Sequence, residues 1–266
     1  MSELPDSLRA ALEAFVQRPR VLVAADFDGV LAPLVDDPLQ ARALPGGIEA
    51  LRAAAAQDGV TAALVSGRDL ATLAALTGIG PDDGVALIGS HGAQTSPAPA
   101  HTSALLDDAA TARLAALRAE LEGIESRYPA VRLEHKPYAV VLHTRGVSPS
   151  VAAAATTAAH EVGARHTGVF VLHGKDVVEL TVLEANKGIA LVNLARQSGS
   201  DATIYLGDDV TDEKAFAALD PAAGDLSVKV GEGETLATQR VPDQVSVVHL
   251  LDLFVANRRN PETPQD

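Results

Sequence analysis

Short runs of apolar residues alternate along the chain with longer, alanine-rich stretches whose apolar positions recur at helical spacing. That rhythm is the βαβ pattern of a parallel sheet covered by helices on both faces, whose strands read as unbroken apolar runs because neither face meets water. Four such runs, 21–25, 61–65, 85–88 and 203–206, are predicted as buried strands. Residues 46–57 and 69–76 are predicted as crossover helices from their period and alanine content. From 105 to 182 the order changes to helix, strand, strand, twice over: 106–127, 131–135 and 139–144, then 148–162, 169–173 and 177–182. Lys136-Pro137-Tyr138 and Gly174-Lys175-Asp176 read as the turns within each strand pair. After this stretch a helix is expected over 186–197, with Asn186 as its N-cap and Gly199 near its stop. The predicted fold is therefore α/β: a Rossmann-like parallel-sheet core from 1–104 and 183–266, interrupted by an α+β domain of αββαββ pattern at 105–182. Residues 96–100 read as a linker and 257–266 as a frayed tail.

Composition narrows the function classes. A chain of 266 residues with 47% hydrophobic and 21% charged positions folds around a substantial core. Thirty-five acidic residues against 21 basic ones give a net charge of -14, which repels nucleic acid and anionic membranes. With no cysteine, disulfides and thiolate metal sites are excluded, and the reducing cytoplasm is the expected compartment. The opening MSELPDSLRA has no signal-peptide pattern, and no apolar run approaches the roughly 18 residues of a membrane span. No obligate protein partner is expected.

The residues just past each strand carry the chemistry, because ligands of open α/β sheets bind at the carboxyl ends of strands. Asp26 and Asp28 come directly after the first run, with Gly29 turning the chain so that both face one reacting group. Such a pair can divide its work, one carboxylate attacking phosphorus while the other protonates the leaving oxygen and later activates water. A turn with acidic residues after a strand is the ordinary alternative. Asp208-Asp209-Val210-Thr211-Asp212-Glu213 comes after the last run through Gly207. Thr211 as a helix cap with acids in the first turn accounts for half of this cluster. Meeting Asp26 and Asp28 at one sheet edge, the remaining carboxylates would raise one another's pKa unless a cation sat among them, and hard oxygen ligands suit Mg²⁺. Ser66-Gly67-Arg68 after the second run and Lys187 at the start of the 186–197 helix supply a hydroxyl, N–H groups and positive charge for a phosphate. His135, His143 and His173 lie on different predicted strands with no acid-and-histidine motif, which argues against zinc.

Read in order, acid pair, Ser-Gly-Arg, Lys, acidic cluster, the chain resembles the haloacid-dehalogenase-type (HAD) phosphatase superfamily. Within it, Asp26-Phe27-Asp28-Gly29-Val30-Leu31-Ala32-Pro33, Gly89-Ser90-His91-Gly92, Asn186-Lys187-Gly188 and the Gly207 to Glu213 segment resemble the trehalose-6-phosphate phosphatase family. The resemblance implies a phosphatase of trehalose 6-phosphate acting through an aspartyl-phosphate. In it Asp26 is the nucleophile and Asp28 the acid/base, and Ser66, Gly67, Arg68 and Lys187 hold the phosphate. Mg²⁺ binds Asp26, the Asp28 main chain and Asp208, with Asp212 supporting it through water. It implies that the inserted domain is a mobile cap reading the sugar through Glu134, Lys136, His143, Arg145, Lys175 and Glu179, with His91 and Gly92 from the core. Two positions depart from the family's pattern: Val30 stands where Thr is usual, and Thr144 where an aromatic residue is usual, removing aromatic surface from the cap. Phosphatases of sucrose 6-phosphate or glycosyl phosphoglycerate, a phosphomutase, and a sensor that binds a sugar phosphate without turnover share parts of the pattern and stay open.

Overall fold

The computed structural model describes residues 4–35, 37–96, 106–136, 138–174, 176–182 and 186–259. The chain divides into two compact units, one formed by Met1–Ala98 and Ala185–Asp266 and the other by Pro99–Glu184. In the first unit the elements run α1 (Asp6–Val16), β1 (Val21–Asp26), α2 (Gly47–Ala55), β2 (Val60–Val65), α3 (Leu70–Thr77), β3 (Val85–Gly89) and β4 (Gln94–Ser96). After the second unit they continue with α6 (Lys187–Ser198), β9 (Ala202–Gly207), α7 (Glu213–Ala218), β10 (Leu226–Val230), β11 (Gln239–Val241) and α8 (Gln244–Arg259).

Seven strands form one sheet in the order β11-β10-β9-β1-β2-β3-β4, parallel except for β4, which returns antiparallel beside β3. Every residue of β1 and β9 is buried, as expected of central strands covered on both faces. Alternation sorts their side chains. Val21, Val23, Ala25, Leu64, Ile204 and Leu206 pack with Leu8, Leu12, Leu51, Leu251 and Phe254 of α1, α2 and α8. Leu22, Ala24, Ala63, Val65, Ile88 and Tyr205 face the other way, against Leu191, Ala215 and Phe216 of α6 and α7. Each large apolar side chain so enclosed contributes about 1.5–3 kcal/mol relative to exposure, and this two-sided burial fixes where β1 and β9 end.

The second unit consists of α4 (Asp108–Arg127), β5 (Arg132–His135), β6 (Ala139–His143), α5 (Pro149–Arg165), β7 (Phe170–Gly174) and β8 (Val177–Thr181). Its strands form an antiparallel sheet in the order β5-β6-β8-β7. Val140, Leu142, Val178 and Leu180 meet Leu114, Leu117, Leu121, Ala155 and Ala159 of the two helices.

The predicted αββαββ order and the four predicted core strands are present within a few residues, and Asn186 caps α6 by accepting the Ile189 N–H at 2.9 Å. The structure adds α1, β4, β10, β11 and α8, which patterning does not reveal. Residues 257–259, expected in a frayed tail, instead continue α8, because Leu250, Leu251, Phe254 and Val255 anchor that helix on the core. Ser96, expected in a linker, pairs with Leu87 as the end of β4. The rest of that linker (97–100), Lys175, Pro137 and 260–266 lie outside the described residues. No helix among the described residues is long and apolar enough to cross a membrane.

Candidate active site

A cleft of 480 Å³ opens in the first unit where β1, β2 and β9 end. Asp26, Asp28, Gly67, Arg68, His91, Lys187 and Asp208 all line it, so the predicted groups from five separate segments converge. Ser66 and Asp212 are fully buried and lie behind this lining.

The innermost group is an ammonium shared by two carboxylates. Lys187 Nζ donates to Asp26 Oδ2 at 2.6 Å and to Asp212 Oδ1 at 2.7 Å, with all three residues almost wholly enclosed. The remaining oxygens are also engaged: Asp26 Oδ1 accepts the Phe27 N–H at 2.6 Å, and Asp212 Oδ2 accepts those of Asp208 and Asp209 at 2.8 and 3.1 Å. Tyr205 donates its hydroxyl to Asp212 Oδ1 at 2.7 Å. Burial alone would release the lysine proton, yet the charges of Asp26 and Asp212 outweigh it and hold Lys187 up at about 12. Burial pushes the Asp26 carboxyl above its ordinary range, opposed by Lys187 and reinforced by Asp212. Asp208, partly buried beside Asp212 and Asp209, is raised to about 6.

Carboxylate oxygens of Asp26, Asp208 and Asp212 lie within 4.8 Å of one another. Three acids, oxygen donors only, and a carboxylate raised by its neighbours form a set that fits a hard divalent cation. The Asp28 carboxylate is not in this group. Arg68 holds both of its oxygens, Nε to Oδ2 and Nη2 to Oδ1, each at 2.7 Å, and lies over the Phe27 ring at 5.7 Å. The arginine predicted to meet phosphate is thus paired with the second acid, and Ser66 Oγ accepts the Arg68 N–H at 3.1 Å.

Two glycines make the convergence possible. Gly29 has φ +78°, and a Cβ there would stand 1.9 Å from Asp208 Oδ2, so the Asp26 loop and the Asp208 loop can touch only through a residue without a side chain. Gly92 has φ +109° and would place a Cβ 2.7 Å from the Asn186 carbonyl, at the entrance to the Lys187 helix. Between Gly89 and Gly92 the backbone of Ser90 and His91 is left-handed as well, at φ 50° and 55°, held by Ser90 N–H to Arg68 O at 2.7 Å and His91 N–H to Ser66 O at 3.0 Å. Burial and then Lys187 push the His91 imidazole below its usual value, against the opposing charges of Asp209 and Asp212.

Thr211, predicted to cap the next helix, does not. Its N–H and hydroxyl both donate to Asp209 Oδ1 at 2.7 Å, while Asp212 occupies the N-cap position of α7 with its carboxylate turned inward. Asp209, expected with Asp208 beside Asp26 and Asp28, does line the cleft, while sequence patterning misses Thr211, Leu34, Val35 and Pro38 as cleft residues and Tyr205 as a hidden partner of Asp212. The tyrosine's alternation with Ile204 and Leu206 is the signal that places it on the α6 and α7 side. Val30, where the family usually has Thr, is fully buried in the apolar core.

In the second unit, Glu134, Val141, Glu179 and Leu172 stand opposite one another across the four strands. Lys136 Nζ donates to Glu179 Oε2 at 2.6 Å, and His143 Nε2 meets Glu134 Oε2 at 2.9 Å. Glu179 Oε1 is buried with no hydrogen-bond partner among the described residues. Arg145 is exposed. His135 approaches Glu122 at 3.9 Å, so it and His143 pair with different acids. Thr144 is buried and its N–H donates to the Asp176 carbonyl at 2.9 Å. An aromatic side chain at this position would have to displace packed neighbours.

Residues 24–245 match the Trehalose-phosphatase family model. The trehalose-phosphate phosphatase of Mycobacterium ulcerans is 35% identical over 246 residues, 90% of this chain and 62% of that protein. That of Mycobacterium tuberculosis H37Rv is 36% identical over 233 residues, 83% of this chain and 57% of its own length. The chain therefore spans about three-fifths of these relatives. Among solved structures, Aspergillus fumigatus trehalose-6-phosphate phosphatase superposes with a TM-score of 0.60 at 24% identity, covering 97% of this chain and 100% of that one. The C-terminal domain of the Candida albicans trehalose-6-phosphate phosphatase gives 0.59 at 22%, covering 96% and 99%. These two share the fold. Because the family match runs from the strand that presents Asp26 to the start of α8, the chain belongs to the trehalose-phosphatase family.

Proposed function

We propose that the protein hydrolyses trehalose 6-phosphate to trehalose and inorganic phosphate, with Asp26 as nucleophile, Asp28 as acid/base and Mg²⁺ as cofactor. The observation that carries this reading is the single cleft in which Asp26, Lys187 and Asp208 meet at the ends of parallel strands. Asp26, fixed by Lys187 and the Phe27 N–H, attacks phosphorus along a direction set before substrate arrives. As its oxygen bonds to phosphorus the sugar–oxygen bond to phosphorus breaks, and Asp28 delivers its proton to the departing sugar oxygen. A water then adds to phosphorus, giving its proton back to Asp28, and the bond to Asp26 breaks to release phosphate. For either transfer Asp28 must part from Arg68, whose guanidinium is then free to meet phosphate oxygens together with Ser66, the Gly67 N–H and Lys187. Asp26, Asp208, the Asp28 main chain and Asp212 would hold the Mg²⁺, which when bound would supply positive charge to offset the negative charge of the phosphoryl group. We assign sugar recognition to Glu134, Lys136, His143, Arg145, Lys175 and Glu179, and to His91 and Gly92 of the core. The unmatched Glu179 Oε1 supports this, since a disaccharide hydroxyl can donate to it. A cytoplasmic location belongs to the same proposal and is supported by the cysteine-free composition.

The test is phosphate release from trehalose 6-phosphate beside sucrose 6-phosphate, glucose 6-phosphate and mannose 6-phosphate, with Mg²⁺ and with EDTA. Release from trehalose 6-phosphate alone, abolished by EDTA and restored by Mg²⁺, is expected. Release from another sugar would overturn the recognition residues and keep the core. Tight binding without release would replace an enzyme by a sensor.

A further inference from the structure

The Asp208 loop carries a carboxylate that the cation reading needs, and among the described residues its side chain makes no hydrogen bond that fixes it as Lys187 fixes Asp26. Its position is set by main-chain contacts. One is made by Lys229, in the middle of β10. Register places Lys229 opposite Gly207, the last residue of β9, one step before Asp208. The flanking Val228 and Val230 enter the core shared with α1, α2 and α8. Alternation therefore sends the Lys229 side chain to the other face, where Tyr205 lies, and it is 5% exposed there. A lysine so enclosed is costly unless its ammonium is matched, and Lys229 Nζ donates to the Asp208 main-chain carbonyl. On the opposite side Asp208 abuts Gly29, whose N–H donates to the Ala32 carbonyl at 2.7 Å and whose carbonyl accepts Gln244 Nε2 of α8 at 2.8 Å. The two loops that present acids to the cleft are thus tied from behind by side chains of the last forty residues of the chain.

We propose that Lys229 is a positioning residue for the metal site: its ammonium, bound to the Asp208 carbonyl, holds the Asp208 loop against Gly29 so that the Asp208 carboxylate stands beside those of Asp26 and Asp212. Lys187 cannot fill this role, because its Nζ already bridges Asp26 and Asp212. The positive charge of Lys229 also lies on the protein side of the acidic cluster, where it tempers repulsion among the acids without occupying the cleft, of which it is not a lining residue. Outer contacts of this kind change metal affinity by about 10- to 100-fold when removed.

The inference rests on the cation reading above, and the experiment separates the two. Mn²⁺ binding to the full-length chain is measured by electron paramagnetic resonance for the native protein, Lys229→Met and Lys229→Gln, with melting temperature followed in EDTA. The expected result is a folded Lys229→Met chain whose Mn²⁺ affinity falls by about 10-fold or more. Lys229→Gln, which keeps a donor, should recover part of that loss. A native chain that binds no Mn²⁺ would strike the cation reading itself, and this proposal with it. Native binding matched by a folded variant of either kind would overturn the role of Lys229 alone. Failure of both variants to fold in EDTA would overturn it too, because the lysine would then be holding the sheet and not the site.

Discussion

The acidic cleft of the first unit and the polar face of the second unit's sheet both carry paired charged side chains, yet they are finished to different degrees. In the cleft, Lys187, Asp26, Asp212 and Tyr205 are nearly inaccessible, and each carboxylate oxygen of Asp26 and Asp212 has a partner within 3.1 Å. On the sheet face, Glu134 and His143 form a half-exposed pair, and one oxygen of Glu179 is left unmatched. The difference teaches that the groups proposed to react are set in place by folding, whereas those proposed to recognise the sugar keep bonding capacity in hand for a ligand.

The comparison breaks at its strongest point if Asp26 is dispensable. Asp26→Asn is expected to lower kcat by about 10⁴-fold or more with the fold retained, read from phosphate release beside circular dichroism; a near-native rate would remove the nucleophile. Lys187→Ala comes next. It should lower kcat by about 10²-fold or more and also destabilise the chain by about 3–5 kcal/mol, because two buried carboxylates lose their shared ammonium. A drop in rate with an unchanged urea midpoint would show the ammonium serves only the phosphate. On the sheet face, Glu179→Gln should raise KM for trehalose 6-phosphate by about tenfold, the equivalent of about one hydrogen bond to a charged group, with kcat and melting temperature little changed. An equal loss in stability would recast the Lys136–Glu179 pair as part of the fold. The smallest effect is expected for Arg165→Ala. That residue pairs with Glu120 across α4 and α5 and is more than half exposed, so solvent screening limits the loss to about 0–1 kcal/mol, with KM unmoved.

Much of this was legible before the structure, for a physical reason. Parallel strands buried on both faces must be written as apolar runs, so the first polar residues after 21–25, 61–65 and 203–206 announce themselves as the ligand-facing edge. The αββ repeat was legible because its turns carry Pro and Gly. What failed to show were elements whose identity depends on neighbours. β10 alternates, its apolar run broken by Ser227 and Lys229, and β11 has only three residues, so neither reads as a buried parallel strand until it pairs with β9 or with its neighbour. The bond between Arg68 and Asp28 joins residues forty apart, and nothing in Ser-Gly-Arg distinguishes an arginine awaiting phosphate from one holding an acid. Thr144 illustrates the same limit, because its burial and its N–H bond to the Asp176 carbonyl depend on a neighbour that its place in a motif does not reveal.

Asp26 and Lys187 lie 161 positions apart, with the whole second unit between them. At a synthesis rate of roughly 5–20 residues per second, Asp26 leaves the ribosome about ten to thirty seconds before its counter-ion exists. β1 can find β2 early in that interval, but its other neighbour, β9, and the Asp212 carboxylate come later still. A nascent chain halted within the second unit thus carries an unneutralised acid on a half-covered strand. The cluster of Asp26, Lys187 and Asp212 is complete only when the chain has returned to close the sheet, and the order of the gene becomes a timer on its assembly.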